Sequence, residues 1–120
     1  MKILSLLSGL VLVMAGITAS AHAHLQQSTP ADNSVVSTPP STLVLNFSES
    51  ARLTALSIQK GAESPQKLNP LPMAAAQQIS VPLPPLTPGV YSVSWRAISA
   101  DGHVTSGTLH FTLAGDHAAG

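Results

Sequence analysis

Proline decides what this chain can become. Ten prolines interrupt it from Pro30 onward, and no stretch beyond residue 24 keeps a helical apolar period for a useful length between them. Proline inside a helix removes a hydrogen bond and clashes with the preceding turn, whereas strand edges and turns tolerate it. What is left is a series of short β-rich runs, the pattern of an all-β sandwich. Residues 25–29 form a first run, stopped by Pro30, and residues 31–34 read as a turn. Residues 42–47 alternate, with Leu43, Leu45 and Phe47 on one face; residues 53–59 form another run, with Leu56 and Ile58 inward.

The segment 60–76 holds Pro65, Pro70 and Pro72 and reads as a long loop with at most one edge strand. A short strand follows at 77–82, then a stiff connector containing Pro82, Pro84, Pro85 and Pro88. Residues 90–98 give the clearest alternation: Tyr91, Val93, Trp95 and Ala97 face one way, Ser92, Ser94 and Arg96 the other. Residues 108–113 close the domain, with Leu109, Phe111 and Leu113 inward and His110 outward. About seven strands in roughly a hundred residues predict an immunoglobulin-like Greek-key β-sandwich or barrel. With no cysteine it has no disulfide, and thiolate metal sites are excluded.

The N-terminus carries a second signal. Lys2 precedes an apolar run over residues 3–17, of signal-peptide length and too short for a membrane span. Small residues follow in Ala19-Ser20-Ala21-His22-Ala23-His24, which contains two cleavage sites of the A-x-A kind. Cleavage after Ala21 makes His22 the first residue; cleavage after Ala23 makes it His24. The expected organisation is a signal peptide over 1–21, a folded domain over 22–114 and a flexible tail over 115–120. Lys2 leaves with the leader, so the exported chain is slightly acidic. Charged residues make up only 8% of the sequence and its few lysines and arginines are scattered. That excludes the basic footprint of a nucleic-acid binder. No second spanning segment follows, so the mature protein is expected not to be membrane-inserted.

A histidine at a new N-terminus is chemically distinctive, because its α-amine and its imidazole Nδ1 close one chelate ring on a metal. Both groups lose protons near neutral pH when a metal competes for them. Nitrogen donors in a planar set favour Cu(II), which also leads the divalent affinity order. Further along, Ser99-Ala100-Asp101-Gly102-His103 places Asp101 and His103 two residues apart, on one face of an extended backbone. Asp-Gly between alternating strands is also a strong turn signal, and a turn at one end of a sandwich is compatible with a ligand site. Cu(I) would want several thioethers, and Met73 is the one methionine beyond the leader. His24 is the reserve ligand, two residues from His22. His110 reads as a surface residue and His117 as part of the tail. Glu49 is either exposed or turned toward the site. Ser106 lacks the nucleophile-elbow context that a catalytic serine of that class needs.

Taken in order, these pieces resemble the CopC-type periplasmic copper-binding proteins. The resemblance rests on His-Ala-His-Leu at 22–25, Ser-Thr-Pro-Ala-Asp at 28–32 and Leu-Asn-Phe-Ser-Glu at 45–49. It rests above all on Pro-Gly-Val-Tyr-Ser-Val-Ser-Trp-Arg-Ala-Ile-Ser-Ala-Asp-Gly-His at 88–103, followed by Ser106-Gly107 and the strand to Leu113. The resemblance implies an immunoglobulin-like domain with one Cu(II), bound by the amine and imidazole of His22 together with Asp101 and His103. It implies Glu49 as a residue orienting those ligands. It favours cleavage after Ala21, and it implies a non-enzymatic copper carrier or buffer in resistance or uptake, passing copper to a CopD-type inner-membrane importer. Some members carry a methionine-rich loop; with Met73 alone, only Cu(II) is expected here.

Two rival readings stay open at this level. A copper-dependent oxidase or polysaccharide oxygenase also uses an N-terminal histidine brace, but it would want exposed aromatics, and the single Trp and single Tyr are both assigned inward. A metal-free immunoglobulin-like module would make Asp101 and His103 irrelevant to any metal.

Overall fold

The computed structural model describes residues 23–115; the leader, His22 and the tail from residue 116, with His117, lie outside the described residues. Seven strands follow in chain order: β1 (Leu25–Thr29), β2 (Ser34–Val36), β3 (Thr42–Lys60), β4 (Gln66–Lys67), β5 (Ala76–Pro82), β6 (Gly89–Ser99) and β7 (Val104–Leu113). The expected all-β, immunoglobulin-like architecture is observed, and no helix occurs among the described residues.

The strand pairing explains how so short a chain makes two layers. The first part of β3 lies between β1 and β5, pairing Leu45 with Ser28 on one side and with Ile79 on the other. Beyond residue 50 the same strand pairs instead with β6, Leu56 opposite Trp95 and Ile58 opposite Val93. The β3–β5 register breaks between Asn46 and Ala51, and the β3–β6 register between Leu53 and Ala55. Bulges of this kind bend a strand and sharpen its twist, so one strand serves two sheet layers and the sheet curls over its own core. The two runs expected at 42–47 and 53–59 are therefore one 19-residue strand with a bend. β7 pairs with β6 along its whole length and, at Phe111–Leu113, in parallel with β2.

The inward stripes meet as their alternation requires. Leu43, Leu45, Phe47, Leu56, Ile58, Tyr91, Val93, Trp95, Ala97, Leu109, Phe111 and Leu113 are all buried. Trp95 packs edge-on to Phe47 with ring centroids 5.3 Å apart, and Tyr91 stacks on Phe111 at the same separation. The Tyr91 hydroxyl donates to the Thr87 carbonyl at 2.5 Å and accepts the Thr87 N–H at 3.1 Å. It thereby ties the proline-rich connector to the start of β6 while the ring stays in the core.

Candidate metal centre

The hairpin joining β6 to β7 is built locally. The Gly102 N–H donates to the Ser99 carbonyl and the Ser99 N–H donates to the His103 carbonyl, both at 2.9 Å. Gly102 has φ of +90° with open space around its α-carbon. This is a three-residue connection, a turn followed by a glycine in positive φ. The Asp-Gly turn signal is thus realised with Ala100, Asp101 and Gly102 as the loop, which projects Asp101 and His103 from the end of the sandwich.

Within the loop the two side chains face each other. Asp101 Oδ2 lies 2.7 Å from His103 Nδ1. A carboxylate only accepts, so Nδ1 carries the proton and donates, which leaves Nε2 as the ring's lone-pair atom. Asp101 Oδ1 accepts the Ser99 hydroxyl in a short hydrogen bond and the His103 N–H at 3.2 Å. The Ser99 hydroxyl first, and His103 after it, hold the Asp101 carboxyl down at about 2, below its ordinary range. The side chains of His103 and Asp101 remain 58% and 32% exposed, so a ligand from solvent reaches them.

The N-terminal segment arrives at this same end. Ala23 is fully buried in the core, and its carbonyl accepts the Thr105 hydroxyl at 3.1 Å, two residues beyond His103. His24 is exposed; its N–H donates to Ser48 Oγ at 2.9 Å and its carbonyl accepts the Ser48 N–H at 2.8 Å. Ser48 lies at the bend of β3, and Ala51, just past the bend, pairs with Ser99. One short stretch of chain is therefore held by β3 on one side and β7 on the other, beside the 99–103 hairpin.

The expected site residues are distributed accordingly. Asp101 and His103 are in direct contact. Glu49 is exposed on the β3 bend, at the hairpin end of the domain. His22 lies outside the described residues. Among the described residues no three of His, Asp and Glu converge as a ligand set, so His24 and Glu49 do not complete one with Asp101 and His103. His110 is exposed on β7, its N–H bonded to Asp32 Oδ1 at 2.8 Å, roughly 20 Å along the strand from the hairpin at ~3.4 Å per residue.

Ser99, Thr105 and Ser48 were not singled out from the sequence. For Ser99 a signal existed: it continues the inward stripe of Tyr91, Val93, Trp95 and Ala97 as a polar residue, and a buried polar group needs a partner. For Thr105 and Ser48 none existed, because their partners are distant in sequence.

Comparison with known proteins bears on the family and the fold. The CopC domain family model matches residues 25–114. Protein YobA of Escherichia coli K12 is 35% identical over 98 residues, covering 78% of this chain and 79% of YobA. Copper resistance protein C of Escherichia coli is 32% identical over 124 aligned positions, covering 91% and 94% of the two chains. The crystal structure of PcoC, a methionine-rich copper resistance protein from Escherichia coli, superposes with a TM-score of 0.59 at 34% identity, over 78% of this chain and 99% of that one. CopC from Methylosinus trichosporium OB3b shares the fold, with a TM-score of 0.67 at 22% identity over 78% and 95%.

Proposed function

The chain belongs to the CopC family, and from that premise we propose that it is a periplasmic carrier or buffer of copper in resistance or uptake, holding one Cu(II) with His22, Asp101 and His103. The protein contributes no catalysis; copper is its cargo. In this reading residues 1–21 are the exported protein's cleaved leader and 22–114 its copper-binding domain.

The observation that carries this reading is the anchoring of Ala23. Its carbonyl is bonded to Thr105, two residues beyond His103, and its methyl group is in the core, which supports a domain that begins before Ala23. Cleavage after Ala23 would discard a core residue; cleavage after Ala21 keeps it and makes the preceding histidine the N-terminus. The donor chemistry fits. An α-amine, two imidazoles and a carboxylate are nitrogen-rich and suited to tetragonal Cu(II), and the Asp101–His103 hydrogen bond gives way when both side chains turn to one ion. In this reading Glu49, exposed on β3, orients a ligand. Met73 stands alone and 87% exposed, which gives Cu(I) no thioether cluster. All four aromatic side chains of the sequence, Phe47, Tyr91, Trp95 and Phe111, are buried, so the described surface has no aromatic platform for a polysaccharide. A CopD-type importer is the receiver that this role calls for.

The test is a Cu(II) titration of protein beginning at His22. One equivalent should bind with the d–d band of nitrogen-rich coordination. A form extended by one alanine before His22, and the His103→Ala variant, should each lose the high-affinity site. Equal binding by the extended form would refute the chelate.

A further inference from the structure

Apart from the aromatic Tyr91 and Trp95, Ser99 is the one buried side chain of the described domain with a polar group, 6% exposed. It sits on the inward face of β6, directly after Ala97, where a hydrophobic residue would extend the stripe. Its backbone is doubly fixed, by pairing with Ala51 across β3 and by the N–H bond to the His103 carbonyl. Its hydroxyl is near two acceptors, Asp101 Oδ1 and the His103 carbonyl, the latter at 3.2 Å. A hydroxyl has one proton, and the Asp101 contact, the shorter of the two and made to a charged oxygen, takes it.

A chain of hydrogen bonds thus runs outward from the core: Ser99 Oγ–H to Asp101 Oδ1, then His103 Nδ1–H to Asp101 Oδ2. The exposed end of that chain is the loop around Gly102; the buried end is β6, paired on one side with β3 and on the other with β7. We propose that Ser99 is a positioning residue for copper binding, which holds the Asp101 carboxylate to β6 and, before the ion arrives, the His103 ring through it. The inference rests on the copper reading above, since it concerns how the proposed ligands are held. Ser99 touches no metal itself. Without its hydroxyl, Asp101 keeps only bonds from His103, its own partner in the loop. Carboxylate and ring then move together, and binding must order them. Groups that orient metal ligands typically matter by about ten- to a hundred-fold in affinity.

The experiment compares wild type, Ser99→Ala and Ser99→Thr, all beginning at His22, with Cu(II) as the probe in competition with a chelator of known affinity. The expected result is about ten-fold weaker binding by Ser99→Ala and recovery by Ser99→Thr. At saturation the alanine variant should show broadened or shifted copper EPR parameters. In the metal-free state, 15N shifts should show His103 as a single tautomer in wild type and as a mixture in Ser99→Ala. A purely structural role would lower the unfolding midpoint but leave the EPR spectrum and the tautomer unchanged. Equal affinity and identical spectra overturn the inference while leaving the copper reading intact; failure of wild type itself to bind Cu(II) overturns both. Should Ser99→Ala not fold, wild type decides the matter. Its Ser99 hydroxyl proton should exchange slowly enough to be seen by NMR, and a freely rotating, fast-exchanging hydroxyl overturns the proposal.

Discussion

Asp101 shows how one residue couples the fold to the proposed chemistry. Its carboxylate is held at about 2 by the Ser99 hydroxyl and by His103, below the ~3.9 of an unfolded chain. A folded-state value lower than the unfolded one means that the charged form is favoured by folding. Its contribution is therefore complete above pH ~4 and is lost as pH falls from about 4 toward about 2. Asp101→Asn keeps the shape and removes the charge. The metal-free variant should show a flatter dependence of stability on pH across that window than wild type, measured by denaturant unfolding at several pH values; parallel curves would contradict the assignment. At this scale much was legible early. Asp101 and His103 stood out by a spacing of two residues, although a turn at Gly102 brings them together and not an extended backbone. The pairing of Asp101 with Ser99 did not stand out, because the serine's inward position becomes a statement about hydrogen bonding only once the loop geometry is known.

At the scale of the strand, β7 carries two residues that read as nothing in particular. Its inward positions near the hairpin are Thr105 and Gly107, so the alternation of apolar residues that marks Leu109, Phe111 and Leu113 is missing from its first half. That is why the strand was expected only from residue 108. The structure gives both residues work: Thr105 bonds the Ala23 carbonyl, and Gly107 makes room for Trp95. A methyl group on Gly107 would lie 2.9 Å from Trp95 Cζ2 and 3.0 Å from Cε2. Gly107→Ala should therefore destabilise the domain by about 1–3 kcal/mol through overpacking. The gain from a less flexible unfolded chain, about 0.4–1 kcal/mol, is too small to offset it. Chemical denaturation followed by Trp95 fluorescence reads the change, and an unchanged midpoint would mean that the indole moves at no cost. The brief β2 escaped notice for a related reason. Three residues carry no usable period, and only their parallel contact with Phe111–Leu113 makes them a strand.

For the molecule as a whole, the decisive contact joins residues 82 positions apart, Ala23 and Thr105. It closes the domain by fastening the segment before β1 to the last strand, and it makes a structural prediction independent of copper. Protein beginning at His24 lacks a fully buried side chain and leaves Thr105 without its acceptor. It should be less stable than protein beginning at His22 by on the order of 1–2 kcal/mol, from one lost methyl group and one lost hydrogen bond. Denaturant unfolding of the two metal-free forms is the check, and equal stability would remove the structural case for cleavage after Ala21. The strand parities, the apolar stripes and the turn at Asp101-Gly102 were all determined by the sequence itself, because each depends on neighbours within a few residues. Tertiary structure alone decided that β3 bends to serve two layers, that Ser99 anchors the loop, and that Ala23 is fastened to Thr105 and His24 to Ser48. Those outcomes depend on which distant segments pack together, and local periodicity carries no record of partners so far away along the chain.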